Sequence, residues 1–426
     1  MKKIFISAIL LLSLSASEAQ RVVTLWQCYD SAAVATPLAR EAALYSEISS
    51  LRDRNLAANY LPTMDINGSF VYNSDIPDLS GLLGSLPLPP GSLPSIPHDQ
   101  YRATFDVSQT IWDGGVTRSA RAVEQVVREL NMQQNEADIY RLHEQINNYY
   151  FSAMLLSLQM DVTEIMISEL DERIKEAESG VKNGVVPSVT LDLLFAEKVK
   201  ANQGLTEMRY RHDALLSALG MITGMDDLRG AILMIPEESP LTDSIIYNPD
   251  LHLFDIRNKQ LERSKDLLKS QRMPRAFGFA QLGYGNPPGT NFFSETADTY
   301  YSVGAGLKWN IWDWKKNSSE RQSLTLQQQL TDIRKSAAEE SLERILALKK
   351  AEIVSLKEAA ATDEILISVR KKIAAVSASQ LENGTVTATQ YLTDLDSEKQ
   401  AVINAGLRRI NIARAEAEYI NITGRK

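Results

Sequence analysis

The chain carries Ile-Trp-Asp twice, at Ile111–Asp113 and Ile311–Asp313, and the offset of 200 residues extends well beyond that tripeptide. Without a gap, Tyr101 meets Tyr301, Val107 meets Leu307, Asn183-Gly184 meets Asn383-Gly384, and Ile222-Thr223-Gly224 meets Ile422-Thr423-Gly424. Anchors that hold one spacing over so long a stretch mark an internal duplication. The fold must therefore be built from two copies of one unit, and each copy can be read for what it is able to bury alone.

Each copy opens in extended conformation. In "YRATFDVSQTI", Tyr101, Ala103, Phe105, Val107 and Ile111 alternate with Arg102, Thr104, Asp106, Ser108 and Thr110. Tyr301, Val303, Ala305, Leu307, Trp309 and Ile311 alternate likewise with Ser302, Gly304, Gly306, Lys308 and Asn310. A period of two with one apolar and one polar face predicts strands, and about eleven residues is the length a tilted strand needs to cross a bilayer. A partner strand precedes each, after Leu61-Pro62 and after Met273-Pro274. Pro- and Gly-rich loops join the pairs.

After each "IWD" the period lengthens. Ala120, Val123, Val127 and Leu130, then Ile139, Leu142, Ile146 and Tyr149, step by three and four, and no proline intervenes before Pro187. This pattern predicts a long coiled-coil helix, roughly 100 Å if it is continuous. Asn183-Gly184 then supplies a turn and a second helix returns, and the second copy repeats this from Asn317 through Asn383-Gly384 to Tyr419. A second apolar line at Leu155, Leu158, Val162, Ile165 and Met166 asks for neighbours on two sides, which suits a ring of helices. Four strands cannot close a barrel, and open edges in lipid leave backbone groups unpaired, so closure has to come from further copies of the chain.

Composition narrows the alternatives. A net charge of −9 gives no electrostatic reason to bind nucleic acid. The single cysteine, Cys28, excludes an internal disulfide framework and reads as a packed thiol. The four histidines, at 98, 143, 212 and 252, are scattered, and no motif of a hydrolase or of a phosphate-binding loop is present, so neither an enzyme nor a cofactor is expected. Lys2 and Lys3, the apolar run Ile4–Leu14 and Ser17-Glu18-Ala19 read as a cleaved secretory signal over residues 1–19.

The signal, the duplicated strand pairs, the long hairpins and an Asn-Gly turn followed by "VTLDLLFAEKVKAN" or "ATQYLTDLDSEKQA" together resemble the TolC-like outer membrane efflux proteins. The resemblance covers the mature chain from Gln20 to Lys426. It implies an α+β membrane channel: a homotrimer with a twelve-stranded outer membrane β-barrel, four strands per chain, continued by a periplasmic α-helical coiled-coil barrel. On this reading the chain comprises an N-terminal periplasmic helix (20–60), a first strand pair (61–111) with an extracellular loop (74–100), and a first helical hairpin (112–225) with its tip near 183–188. A linker at the helical waist (226–250), a helix (251–272), a second strand pair (273–311) with loop 286–299, and a second hairpin (312–426) with its tip near 383–388 complete it.

The implied function is an exit duct of a tripartite efflux or type I secretion system, with a periplasmic adaptor and an inner-membrane transporter as partners. A periplasmic adaptor or coiled-coil scaffold without a pore is the alternative. The resemblance places adaptor contact at Asn183, Gly184, Val185, Asn383, Gly384 and Thr385. Where the family carries acidic constriction residues and a tyrosine or arginine latch, this chain has Gln390, Thr393 and Leu381, so that latch is not expected. Asp394 is the candidate for a periplasmic constriction, with a solvated helix face as the alternative reading of "TDLDSEK". Trp112 and Trp312 are expected at the lipid headgroup boundary, and Asp113 and Asp313 as acceptors for backbone N–H groups at the helix starts.

Overall fold

A computed structural model describes residues 21–76, 96–237, 247–291, 294 and 296–424. The expected secretory signal, most of the expected first loop and residues 238–246 of the expected linker lie outside them. Among the described residues no helix is long and apolar enough to cross a membrane. In chain order the elements are β1 (Val22–Val23), α1 (Leu25–Ala35), α2 (Glu41–Ala57), β2 (Thr63–Tyr72), β3 (Asp99–Trp112), α3 (Val116–Lys182) and α4 (Ser188–Thr223). There follow β4 (Ile232–Leu233), α5 (Pro249–Ser270), β5 (Arg275–Asn286), β6 (Asp298–Lys308), α6 (Lys316–Ala360), α7 (Asp363–Glu382) and α8 (Ala388–Thr423). The chain forms two compact units, one of residues 42–133 and 252–336, the other of residues 1–41, 134–251 and 337–426.

The first unit holds a four-stranded antiparallel sheet in the order β2-β3-β5-β6. Its two outer strands, β2 and β6, are edges within one chain. The second unit holds the hairpins from residues 134 and 337 onward, their first turns belonging to the unit of the sheet. A core of Leu25, Tyr29, Ile146, Tyr150, Phe151, Leu216, Leu219 and Ile410 lies between α1, α3, α4 and α8. A separate cluster of Leu170, Ile174, Ala177, Leu194, Ala378, Tyr391 and Leu395 joins α3, α4, α7 and α8.

The anchors of the duplication are backbone devices. Gly224 and Gly424 end α4 and α8 at φ 63° and 68°, left-handed conformations that glycine adopts without strain. Thr223 and Thr423 return their hydroxyls to Leu219 O (2.7 Å) and Tyr419 O (3.1 Å).

Three expectations are corrected. Residues 20–60 are not one helix. A capping box starts α1, Thr24 Oγ1 accepting from Gln27 N and Gln27 Oε1 from Thr24 N. Pro37 ends it by forcing Thr36 into extended backbone (ψ 139°), and a 3-10 turn, Pro37–Arg40, leads to α2. Ahead of α1, β1 pairs in parallel with β4, Val22 opposite Ile232 and Val23 opposite Leu233, so part of the linker forms sheet with the N-terminal segment.

The second hairpin is not a copy of the first. Whereas α3 runs 67 residues unbroken, its counterpart is interrupted between α6 and α7. There the Thr362 hydroxyl donates to Ala359 O (3.1 Å), competing for the carbonyls that would continue the ladder. Asp363 is nearly buried at the break and receives both Arg408 Nε (2.9 Å) and Nη2 (3.0 Å) from α8.

The second "IWD" lies outside any strand, because β6 stops at Lys308 where its partner β5 begins at Arg275. Pro274 has no N–H to extend the ladder, and Trp309 Nε1 instead donates to Arg272 O (3.1 Å).

Candidate pore, seam and tip sites

The sheet sorts its side chains into two faces. Met64–Val107–Ala280–Val303, Ile66–Phe105–Leu282–Tyr301 and Gly68–Ala103–Tyr284 are cross-strand rows on one face. Ile66, Phe70, Tyr301, Val303 and Leu307 of that face are strongly exposed in the single chain. The opposite face is polar: Asp65–Asp106–Gln281–Ser302 form one row and Asn67–Thr104 part of the next. Asp106 gathers this face, accepting from Thr104 Oγ1 (2.6 Å), Asn67 Nδ2 (2.8 Å) and Gln281 Nε2 (2.5 Å). Phe277 and Phe279 sit here too, covering Gly306 and Gly304. Aromatic cover over glycine stabilises the edge strand β6, and it places two phenylalanines of "RAFGFAQLGYG" on the polar face, which is why the alternation of β5 is irregular.

At the first seam, strand β3 contains a bulge. Thr110 opposes Phe277 and Trp112 opposes Ala276, which leaves Ile111 as the extra residue. Strict alternation puts Trp112 on the polar face. The bulge moves it into the row of Ala276 and Leu307, on the apolar face, where it is 47% exposed.

Asp113 is buried and accepts from Gly115 N (2.8 Å), Thr117 N (2.6 Å) and the Tyr60 hydroxyl (2.8 Å), the last arriving from the 3-10 turn Ala58–Tyr60. Burial alone raises its pKa, but the donors outweigh burial and hold it down at about 2. At the second seam Asp313 Oδ2 accepts from Asn317 N (3.0 Å).

The sign of the Asp113 effect follows from its folded pKa lying below the unfolded value. The stabilisation, about 2 kcal/mol, is complete above roughly pH 4 and drains away as pH falls towards 2. Asp113→Asn is expected to lower Tm at pH 7 and to flatten the loss of Tm between pH 4 and 2, read by circular dichroism. An unchanged acid limb in the variant counts against the assignment.

Both tips are built alike. Gly184 stands at φ 73°, its N–H donating to Val181 O (3.0 Å), while Val185 N reaches Gly180 O (2.9 Å). Gly384 stands at φ 68°, with Gly384 N to Leu381 O (3.0 Å) and Thr385 N to Gln380 O (2.8 Å). This pair of bonds is the Schellman arrangement, which uses up the last helix carbonyls. Asn183, Gly184, Val185, Asn383, Gly384 and Thr385 are all exposed. Thr387 caps the returning α8, accepting from Gln390 N (3.2 Å).

Behind the tips, two ion pairs tie the first hairpin to the second. Arg173 of α3 contacts Glu382 of α7 as well as Glu176 (2.6 Å), and Lys399 of α8, almost buried, meets Glu169 of α3 at 2.7 Å. Sequence reasoning missed both, because 209 and 230 residues separate the partners and no local pattern announces them. Asp394 is half-buried, and its Oδ2 accepts from Ser377 (2.6 Å) and Gln390 (3.1 Å). Among the described residues no cluster of His, Cys, Asp and Glu could hold a metal.

The fold is shared with solved outer membrane channels. The chain superposes on the outer membrane protein VceC of Vibrio cholerae with a TM-score of 0.64 at 14% identity, over 94% of this chain and 96% of that one. On the outer-membrane channel OprN the TM-score is 0.70 at 12% identity, covering 94% and 90%. The open state of the MtrE outer membrane channel of Neisseria gonorrhoeae gives 0.63 at 16% identity, covering 94% and 89%. No family model and no curated protein matches the sequence. At these identities the likeness establishes the fold.

Proposed function

We propose that three copies of this chain close a twelve-stranded barrel in the outer membrane and serve as the exit duct of a tripartite efflux or type I secretion system. The two-faced sheet with free edges at β2 and β6 carries this reading. One face is fit for lipid and the other for a wet lumen, and only β6 of one copy meeting β2 of the next satisfies the edges inside a bilayer. The solved channels of the same fold support it, being named as outer membrane channels. No catalysis is proposed.

The tips are the surfaces offered to a periplasmic adaptor, which in turn engages an inner-membrane transporter. The hydrogen bonds from Ser377 and Gln390 favour a role for Asp394 in holding the second hairpin together over that of a free carboxylate at a constriction.

The test is fractionation with intact-cell crosslinking: a heat-modifiable trimer in outer membranes is expected. Recovery as a soluble monomer without β signal sinks the proposal and favours a scaffold. For the tips, Gly184→Val and Gly384→Val each force a β-branched residue into left-handed backbone, at a cost of about 1–3 kcal/mol. Adaptor crosslinking is expected to fall while trimer yield stays near wild type; loss of the trimer itself counts against a tip-only role.

A further inference from the structure

We propose that the second seam, and not the first, is a docking surface for the anionic headgroups of lipids in the leaflet at the helix end of the barrel. The proposal rests on the outer membrane reading above. Its ground is a difference between the two copies. At the 200-residue offset, Gln109, Gly114, Gly115 and Val116 of the first seam become Trp309, Trp314, Lys315 and Lys316 in the second.

Both seams make the same turn through two successive residues at positive φ: 73° and 87° at Gly114 and Gly115, 55° and 64° at Trp314 and Lys315. Glycine adopts that conformation freely, whereas bulky side chains are strained there. The second copy therefore keeps a Trp and a Lys where the first shows that two glycines suffice.

Charge adds to the cost. Lys315 and Lys316 sit at the start of α6, where the helix dipole favours anions, and Asp313 already caps Asn317. Trp309 Nε1 ties the backbone of Arg272 to this seam, and Arg272 is exposed as well. In the single chain, none of these three cations has an ion-pair partner among the described residues. In the single chain Trp312 and Trp314 are 67% and 84% exposed and meet edge to face at 5.7 Å.

Exposed indoles beside unpaired cations, next to the end of the apolar sheet face, match the boundary where acyl chains give way to phosphates. Lys308 and Arg275 are excluded from the surface, because they oppose each other on the polar face. A net-anionic headgroup such as phosphatidylglycerol supplies phosphate oxygens to the ammonium and guanidinium groups. In a zwitterionic headgroup the internal cation cancels most of that attraction.

The experiment reconstitutes the full-length protein in vesicles and follows tryptophan quenching by brominated-chain phosphatidylglycerol against brominated phosphatidylcholine. Wild type is expected to prefer phosphatidylglycerol, by up to about thirty-fold at low salt for two lysines near the surface, and to lose the preference at high salt. K315G/K316V, which restores the first-seam residues at those two positions and leaves Arg272, is expected to lose most of the preference.

Equal quenching in wild type, or an undiminished preference in the double variant, overturns the proposal while leaving the channel reading intact. A tryptophan response to soluble polyglutamate without one to phosphatidylglycerol assigns the surface to an acidic protein and also overturns it. Failure to enter vesicles of either composition removes the outer membrane reading and this proposal together.

Discussion

Val107→Arg is expected to remove most of the heat-modifiable trimer from outer membranes, and Leu307→Arg to reduce it less. Both residues lie on the apolar face, Val107 in a row with Met64 and Ala280, Leu307 opposite Ala276. An arginine facing lipid costs about 2–4 kcal/mol at mid-depth and at most about 1 kcal/mol near an interface. Leu307 is the penultimate residue of β6, so its penalty is the smaller. Any penalty is multiplied threefold in a trimer. Ser108→Arg and Lys308→Glu, on the polar face, are expected to assemble near wild-type levels. Membrane fractionation of all four variants, with and without heating, is the measurement. Equal tolerance across the set would falsify the assignment of faces.

The second large effect concerns the cluster behind the tips. Leu170 is fully buried and packs with Ile174, Leu194, Ala378, Tyr391 and Leu395, side chains drawn from four helices of both hairpins. Leu170→Ala removes three buried carbons and leaves a cavity that these helices cannot easily collapse, at a cost of about 3–4 kcal/mol. Local opening, and not global unfolding, is the expected result. Amides from about 163 to 200 and 375 to 400 should exchange faster, adaptor crosslinking should fall, and barrel heat-modifiability should persist. Protection at wild-type levels in both segments would show that the ion pairs at Arg173 and Lys399, and not the apolar cluster, hold the hairpins together.

Much of the architecture is legible in the sequence because its markers are requirements of the backbone. Gly184, Gly384, Gly224 and Gly424 all occupy left-handed positions, so the duplication that relates them is a repetition of turns and caps. Strand alternation is legible wherever both faces are regular, as along Tyr101 to Val107. It misleads at Trp112, where the bulge at Ile111 shifts the phase, and in β5, where Phe277 and Phe279 serve glycines of the neighbouring strand.

The remaining features rest on distant partners. Pairing of β1 with β4 joins segments about 210 residues apart, and the bridge from Arg173 to Glu382 spans a similar gap. At the break before Asp363, Thr362 meets its own helix end and Asp363 meets Arg408 from a distant one. No periodicity records such meetings, since each is decided by packing and not by local propensity.

That break also sets a limit on symmetry. The chain was doubled, yet one hairpin ascends on a continuous rod and the other on two shorter rods jointed at residues 361–362. On the reading proposed above, a ring of three chains alternates stiff and jointed staves. The turns at the two tips are alike but are backed differently, so the symmetry of the tip ring is threefold, and a partner that docks around it meets two kinds of support in alternation.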